Sequence, residues 1–157
     1  MEINELRNRP NRLPWPPMIL VATLGIGYLL KYFAPLEIGL DDLRPWVSGL
    51  LIVCAITIDV LAMLTLSRAR TTILPNQRSE NLVTNGVFSV SRNPIYVANI
   101  LLLLGIAMWT NNLWLLLLTP LSAFATQQLA IVREEAHLIS QFGTEYSEYQ
   151  SRVRRWL

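Results

Sequence analysis

The chain has 157 residues, of which 52% are hydrophobic and 15% charged, and its formal net charge is +2. Long apolar runs separated by short polar segments are the pattern of a polytopic membrane protein, with room for one domain over residues 1–157. The small net charge, carried by arginines lying between apolar runs, argues against a nucleic-acid partner, and the single Cys54 excludes an intrachain disulfide.

The polar tail 1–17 has no small-residue cleavage site before the first apolar run, so no removable signal peptide is read. That run, Met18 to Ala34, is stopped by Pro35 and is close to the shortest stretch, about 17 residues, that crosses a bilayer. Lys31 is placed to snorkel to the interface, and Gly25 and Gly27 offer close helix packing. The second run, Trp46 to Leu66, carries Asp59. A carboxylate inside a membrane helix is costly and marks a functional group by default, or else, about two turns from the Arg68 end, it reaches the interface or pairs with an arginine there.

From Ser67 to Asn93 the chain is polar, and a connection of this length is functional or disordered. Asn93 is a good N-cap, Pro94 suits the first helical position, and a third helix is predicted over 94–109. At about 1.5 Å per residue it is roughly 24 Å long, short of a hydrocarbon core of about 30 Å, so its polar start is expected to lie sunken. Asn111 and Asn112 make a tight turn into a fourth helix over 113–132, in which Pro120 is a kink site.

The remaining residues, 133–157, form a polar cap. Glu134 and Glu135 diverge by about 100° on a continuing helix, so one is expected to face inward and the other water. Glu135, Leu138 and Phe142 share a face, with His137 off it; a lone histidine argues against a metal site and leaves a proton-transfer role open. Gly143 ends or bends this helix. Tyr146 and Tyr149 followed by Arg152, Arg154 and Arg155 read as a lipid-anchoring set. Lysines and arginines number three before the first helix, two around the first loop, four in the middle loop, none in the hairpin turn and four after Val132. By the positive-inside rule both termini and the middle loop are cytoplasmic, which puts Asn93 and the glutamates on one side.

The order LVTNGVFSVSRNPIY, a hydrophobic hairpin, then REEAHLISQFGTEYSEY resembles the membrane methyltransferases that include isoprenylcysteine carboxyl methyltransferases and phospholipid methyltransferases. The resemblance covers roughly Thr71 to Arg154, and TTILP at Thr71 to Pro75 is similar to the family's entry to the loop. It implies S-adenosylmethionine as methyl donor, bound by Gly86, Arg92, Asn93, Pro94, Tyr96, Glu134 and Glu135. Asn93 stands where many members carry histidine, so a titratable imidazole is absent there. Arg152 or Arg154 is a candidate to orient an acceptor carboxylate, with lipid headgroup contact as the alternative.

The reading is an all-α integral membrane protein of about four spanning helices with a cytoplasmic loop and a C-terminal helical cap. Its expected activity is methyl transfer at the membrane to a small or lipid-like acceptor, with membrane lipids as its other partners. The rival reading is a non-enzymatic membrane protein whose loop and tail bind a partner or anionic lipid.

Overall fold

The structure, a computed structural model, describes residues 14–69 and 81–157, and every regular element among them is helical. In order these are α1 (Trp15–Phe33), α2 (Arg44–Arg68), a 3-10 turn (Gly86–Ser89), α3 (Pro94–Trp109), α4 (Leu113–Thr126), a π-helical turn (Gln127–Ile131), α5 (Val132–Phe142) and α6 (Thr144–Arg152). Helices α1 and α2 start earlier than expected because Pro16 and Pro45 fall in their first turns, where a missing N–H costs nothing. The segment Thr71 to Pro75 lies outside the described residues.

Helices α1, α2 and the continuous stretch Leu113–Phe142 are long and apolar enough to cross a membrane; α3, with 16 residues, is shorter, in line with the expectation from its sequence. The protein is thus an all-α polytopic membrane protein. Its exposed leucines, valines and isoleucines, such as Val21, Leu29, Leu50, Val53 and Leu121, are on surfaces that suit lipid and not water.

Helix α3 packs between α2 and α4, and α1 packs on α4. On α2 the buried residues Ser48, Ala55 and Ala62 recur every seven positions, a seam of small side chains that lets two backbones approach closely. Opposite it, Gly105 is so near α2 that a Cβ there would lie 2.6 Å from Ile52 Cγ1, and Ser48 Oγ donates to the Gly105 carbonyl at 2.8 Å. Between α1 and α4 the close approach is at Gly27, whose Cβ would be 3.0 Å from Leu115 Cδ1, whereas Gly25 meets nothing within 4 Å. The fully buried Asn112 caps α4 by accepting from Leu115 N–H and donates to the Gly27 carbonyl.

At the end of the bundle where α3 stops, the orphan carbonyls of its last turn are met by cations, the arrangement its dipole favours. Lys31 donates to the Thr110 carbonyl, and Arg44 Nη1 donates to Met108 and Trp109 at 2.9 and 3.1 Å. Lys31 is therefore spent within the protein, not on the interface. Asn111 Oδ1 accepts from the backbone N–H groups of Ile38 and Gly39, tying the first loop to the hairpin turn. Both ends of the short α3 are so fixed by other elements, and its other end carries the site.

Candidate active site

The loop that leads into α3 is set first by Gly86. It has φ +59, a region L side chains rarely enter, and a Cβ there would lie 3.0 Å from Thr65 Oγ1 of α2, so the loop is held against that helix. Pro94 opens α3 as expected and is buried. Asn93 occupies the N-cap position, but its side chain does not cap. Its Nδ2 donates to the Arg155 carbonyl at 2.8 Å, while its backbone N–H is taken up by Ser91 Oγ at 3.1 Å. The cap residue has been recruited by the C-terminal segment, which also accepts from Arg92 N–H through the Arg154 carbonyl at 3.0 Å.

The two glutamates arrive from the opposite direction, on α5. The π-helical turn Gln127–Ile131 precedes that helix, and such turns are frequent at functional sites. Both glutamates are engaged, in place of the expected split into one inward and one solvated. Glu134 Oε1 accepts from the Tyr96 hydroxyl at 2.7 Å. Glu135, 7% exposed, is gripped by Arg155 through Nε to Oε1 at 3.0 Å and Nη2 to Oε2 at 2.6 Å, and its Oε1 also lies 3.2 Å from Arg92 Nη2. Adjacent residues on a helix do diverge, but α5 has partners on two sides: α3 supplies Tyr96 on one, and the loop and tail supply the arginines on the other. His137, about 200° around from Glu135 and expected off the packed face, is 1% exposed, so α5 is packed on that side as well, while Ala136 and Ile139 are exposed.

Arg92 is the remaining charge. Its side chain is 10% exposed, and among the described residues its Nε and Nη1 have no hydrogen-bond partner. Two guanidinium groups and two carboxylates thus converge, with Nε and Nη1 of Arg92 buried and unpartnered among the described residues.

Tyr146 and Tyr149 are not lipid anchors. They are 2% and 3% exposed, pack edge to face with centroids 5.9 Å apart, and Tyr149 donates to the Phe88 carbonyl at 2.6 Å, holding α6 to the 3-10 turn. Burial pushes the Tyr146 phenol up to about 12; the Glu135 carboxylate adds to the rise and the Arg92 guanidinium opposes it. Burial also raises Tyr149. Both phenols are neutral at physiological pH.

The structure brings together Arg92, Asn93, Pro94, Tyr96, Glu134 and Glu135, whereas the contact it gives Gly86 is with Thr65 of α2. It does not bring Arg152 or Arg154 into the cluster: both side chains are exposed, and Arg152 Nε reaches only the Glu148 carbonyl at 3.4 Å. Arg155 takes that place. After α6 the chain is extended at Val153, so successive side chains alternate in direction, and nothing in the run VRRWL tells which arginine turns inward. Asp59 is half-buried in α2, with no hydrogen bond or ion pair among the described residues. Trp156 was also not foreseen: its Nε1 donates to Gln127 Oε1 at 2.9 Å, and with Trp15 it packs on Tyr96, Ala130 and Ile131.

Residues 43–145 match the phospholipid methyltransferase family. The chain is 34% identical over 80 residues to the nickel-cobalt-cadmium resistance protein NccN of Alcaligenes xylosoxydans xylosoxydans, a match over 51% of this chain and 37% of that protein. It is 32% identical over 94 residues to a protein-S-isoprenylcysteine O-methyltransferase of Schizosaccharomyces pombe, over 59% of this chain and 40% of that one. With protein-S-isoprenylcysteine O-methyltransferase B of Arabidopsis thaliana it shares 30% identity over 120 residues, over 69% of this chain and 57% of the relative. The chain therefore spans between 37% and 57% of the length of these relatives. The family match runs from just before α2 to the start of α6 and contains the loop, α3 and both glutamates, so this chain belongs to the phospholipid methyltransferase family.

Proposed function

We propose that the protein is an S-adenosylmethionine-dependent methyltransferase acting at the cytoplasmic side of the membrane on a lipophilic or lipid-like acceptor. The observation that carries this reading is the buried Arg92 with Nε and Nη1 unpartnered among the described residues. A buried guanidinium with unpartnered N–H donors is suited to take a carboxylate, and the donor has one. Glu134, oriented by Tyr96, is suited to accept from ribose hydroxyls or an amino group. The first turn of α3 at Pro94 adds the positive end of a helix dipole. The donor set present thus fits a zwitterionic amino acid joined to a nucleoside.

When bound, S-adenosylmethionine supplies an electrophilic methyl group on a sulfonium. The chain's residues need only hold the donor, orient it in line with the acceptor atom and keep water away, which calls for little acid–base machinery. Arg92 and Glu134 do the holding. Helices α3 and α4 present an almost wholly apolar wall beside them, and two relatives are named for a lipid-modified cysteine substrate.

Such a wall favours long acyl or prenyl substituents by about 0.8 kcal/mol per buried methylene. Methyl transfer from radiolabelled donor in nanodiscs, to acceptors sharing one reactive head but differing in chain length, is expected to become more efficient as the chain lengthens. A flat or falling trend would point to a small water-soluble acceptor and sink the membrane-entry part of the proposal.

A further inference from the structure

The C-terminal segment Arg154 to Trp156 lies outside the family match, which ends at residue 145, yet it makes more polar contacts with the site than any single helix residue there. Arg155 applies the fork of its guanidinium to both oxygens of Glu135, at 3.0 and 2.6 Å, a geometry that fixes the plane of the carboxylate as well as its position. The carboxylate so fixed turns Oε1 toward Arg92 Nη2 at 3.2 Å. Nearby, the main chain of the same segment receives Arg92 N–H on the Arg154 carbonyl and Asn93 Nδ2 on the Arg155 carbonyl. Trp156 pins its far end to Gln127 of the π-helical turn. With its backbone and Nη2 both held, the plane of the Arg92 guanidinium is set, and its Nε and Nη1 are the donors without a partner among the described residues.

We infer that Arg155 is a positioning residue for the donor site: acting through Glu135, it fixes the Arg92 guanidinium so that its unpartnered N–H groups meet the donor's carboxylate. The inference rests on the proposed donor and deepens it. It also divides the work of the two glutamates. Glu135, with both oxygens committed to arginines, is the relay between Arg155 and Arg92, and Glu134 is the carboxylate that meets the ligand.

The test uses two ligands that differ in the group at stake. S-adenosylhomocysteine carries the amino-acid carboxylate, and 5′-methylthioadenosine keeps the nucleoside but has none. Calorimetry on the full chain in nanodiscs is expected to show Arg155→Gln weakening S-adenosylhomocysteine about tenfold or more, while 5′-methylthioadenosine stays within about twofold of wild type. Arg155→Lys keeps the charge but reaches only one oxygen; it is expected to give the same divergence in smaller measure and serves if the glutamine variant does not fold. Equal loss of both ligands means that Arg155 is merely structural and overturns the inference, as does unchanged binding of both. If wild-type protein binds neither ligand, the donor proposal fails first and this inference with it.

Discussion

Replacing Gly105 by alanine adds one methyl group at the tightest point of the α2–α3 seam. The new Cβ would stand 2.6 Å from Ile52 Cγ1, 3.3 Å from Ile52 N and 3.4 Å from Leu51 Cβ. Carbon atoms rest about 3.5–4.0 Å apart, so the helices must separate by close to 1 Å. Ile52 Cγ1 is at the root of a β-branched side chain whose χ1 is strongly restricted in a helix, so a rotamer change that clears it is costly. Separation stretches the Ser48 Oγ to Gly105 O bond from 2.8 Å toward the limit of hydrogen bonding. Overpacking of this kind costs about 1–3 kcal/mol and the weakened buried bond about 1 more, so a loss of roughly 2–4 kcal/mol is expected. Unfolding in mixed micelles with rising dodecyl sulfate, followed by circular dichroism, measures it. Ile52→Ala in the same chain removes Cγ1, and the double variant is expected to be less destabilised than the sum of the singles by about 1 kcal/mol or more. Gly25→Ala, where nothing lies within 4 Å, is the contrast and is expected to be neutral or mildly stabilising. If Gly105→Ala is as mild as Gly25→Ala and shows no coupling to Ile52, the seam does not fix α3 as described.

Two further outcomes follow from charge. Tyr146 titrates in the folded protein at about 12, above its ordinary 10.0, so folding favours the neutral phenol; its contribution is complete below about pH 10 and is lost as pH rises from about 10 to 12. Thermal melts across that window are expected to fall less steeply for Tyr146→Phe than for wild type, and parallel slopes would remove the burial argument. Reporter fusions after Asn11, Gln77 and Leu157 are expected to read cytoplasmic and those near Asp41 and Asn111 external, as the arginine distribution requires. An external reading at Gln77 would put the loop on the wrong side for a cytoplasmic donor.

What could be read from the sequence was local. Pro94 and the Asn111–Asn112 turn bracket α3, so its 16 residues and its shortness were legible without any tertiary information. The pairing of the loop before α3 with the glutamates after α4 came from a resemblance in motif order, and the structure gives it distances. Contacts made across the chain were not legible. Asn93 has every local reason to cap α3, but the Arg155 carbonyl, 62 residues away, takes its side chain instead. Arg154 and Arg155 are the same residue type side by side, and only the extended backbone at Val153 decides which one meets Glu135. Tyr146 and Tyr149 followed by arginines have the composition of a lipid anchor; their burial depends on where the 3-10 turn presents the Phe88 carbonyl. The seam at Gly105 is invisible for a related reason: one glycine in an apolar helix does not announce which neighbour approaches it.

The central claim is that Arg92, fixed by the glutamate–arginine cluster, holds the carboxylate of the methyl donor. Calorimetric titration of S-adenosylhomocysteine into folded wild-type protein and into Arg92→Ala in nanodiscs tests it most directly. Saturable binding by wild type, weakened in the variant by about 2–3 kcal/mol for a lost charge-assisted contact, is the predicted result. No binding by wild type at millimolar ligand, or equal binding by both proteins, would contradict it.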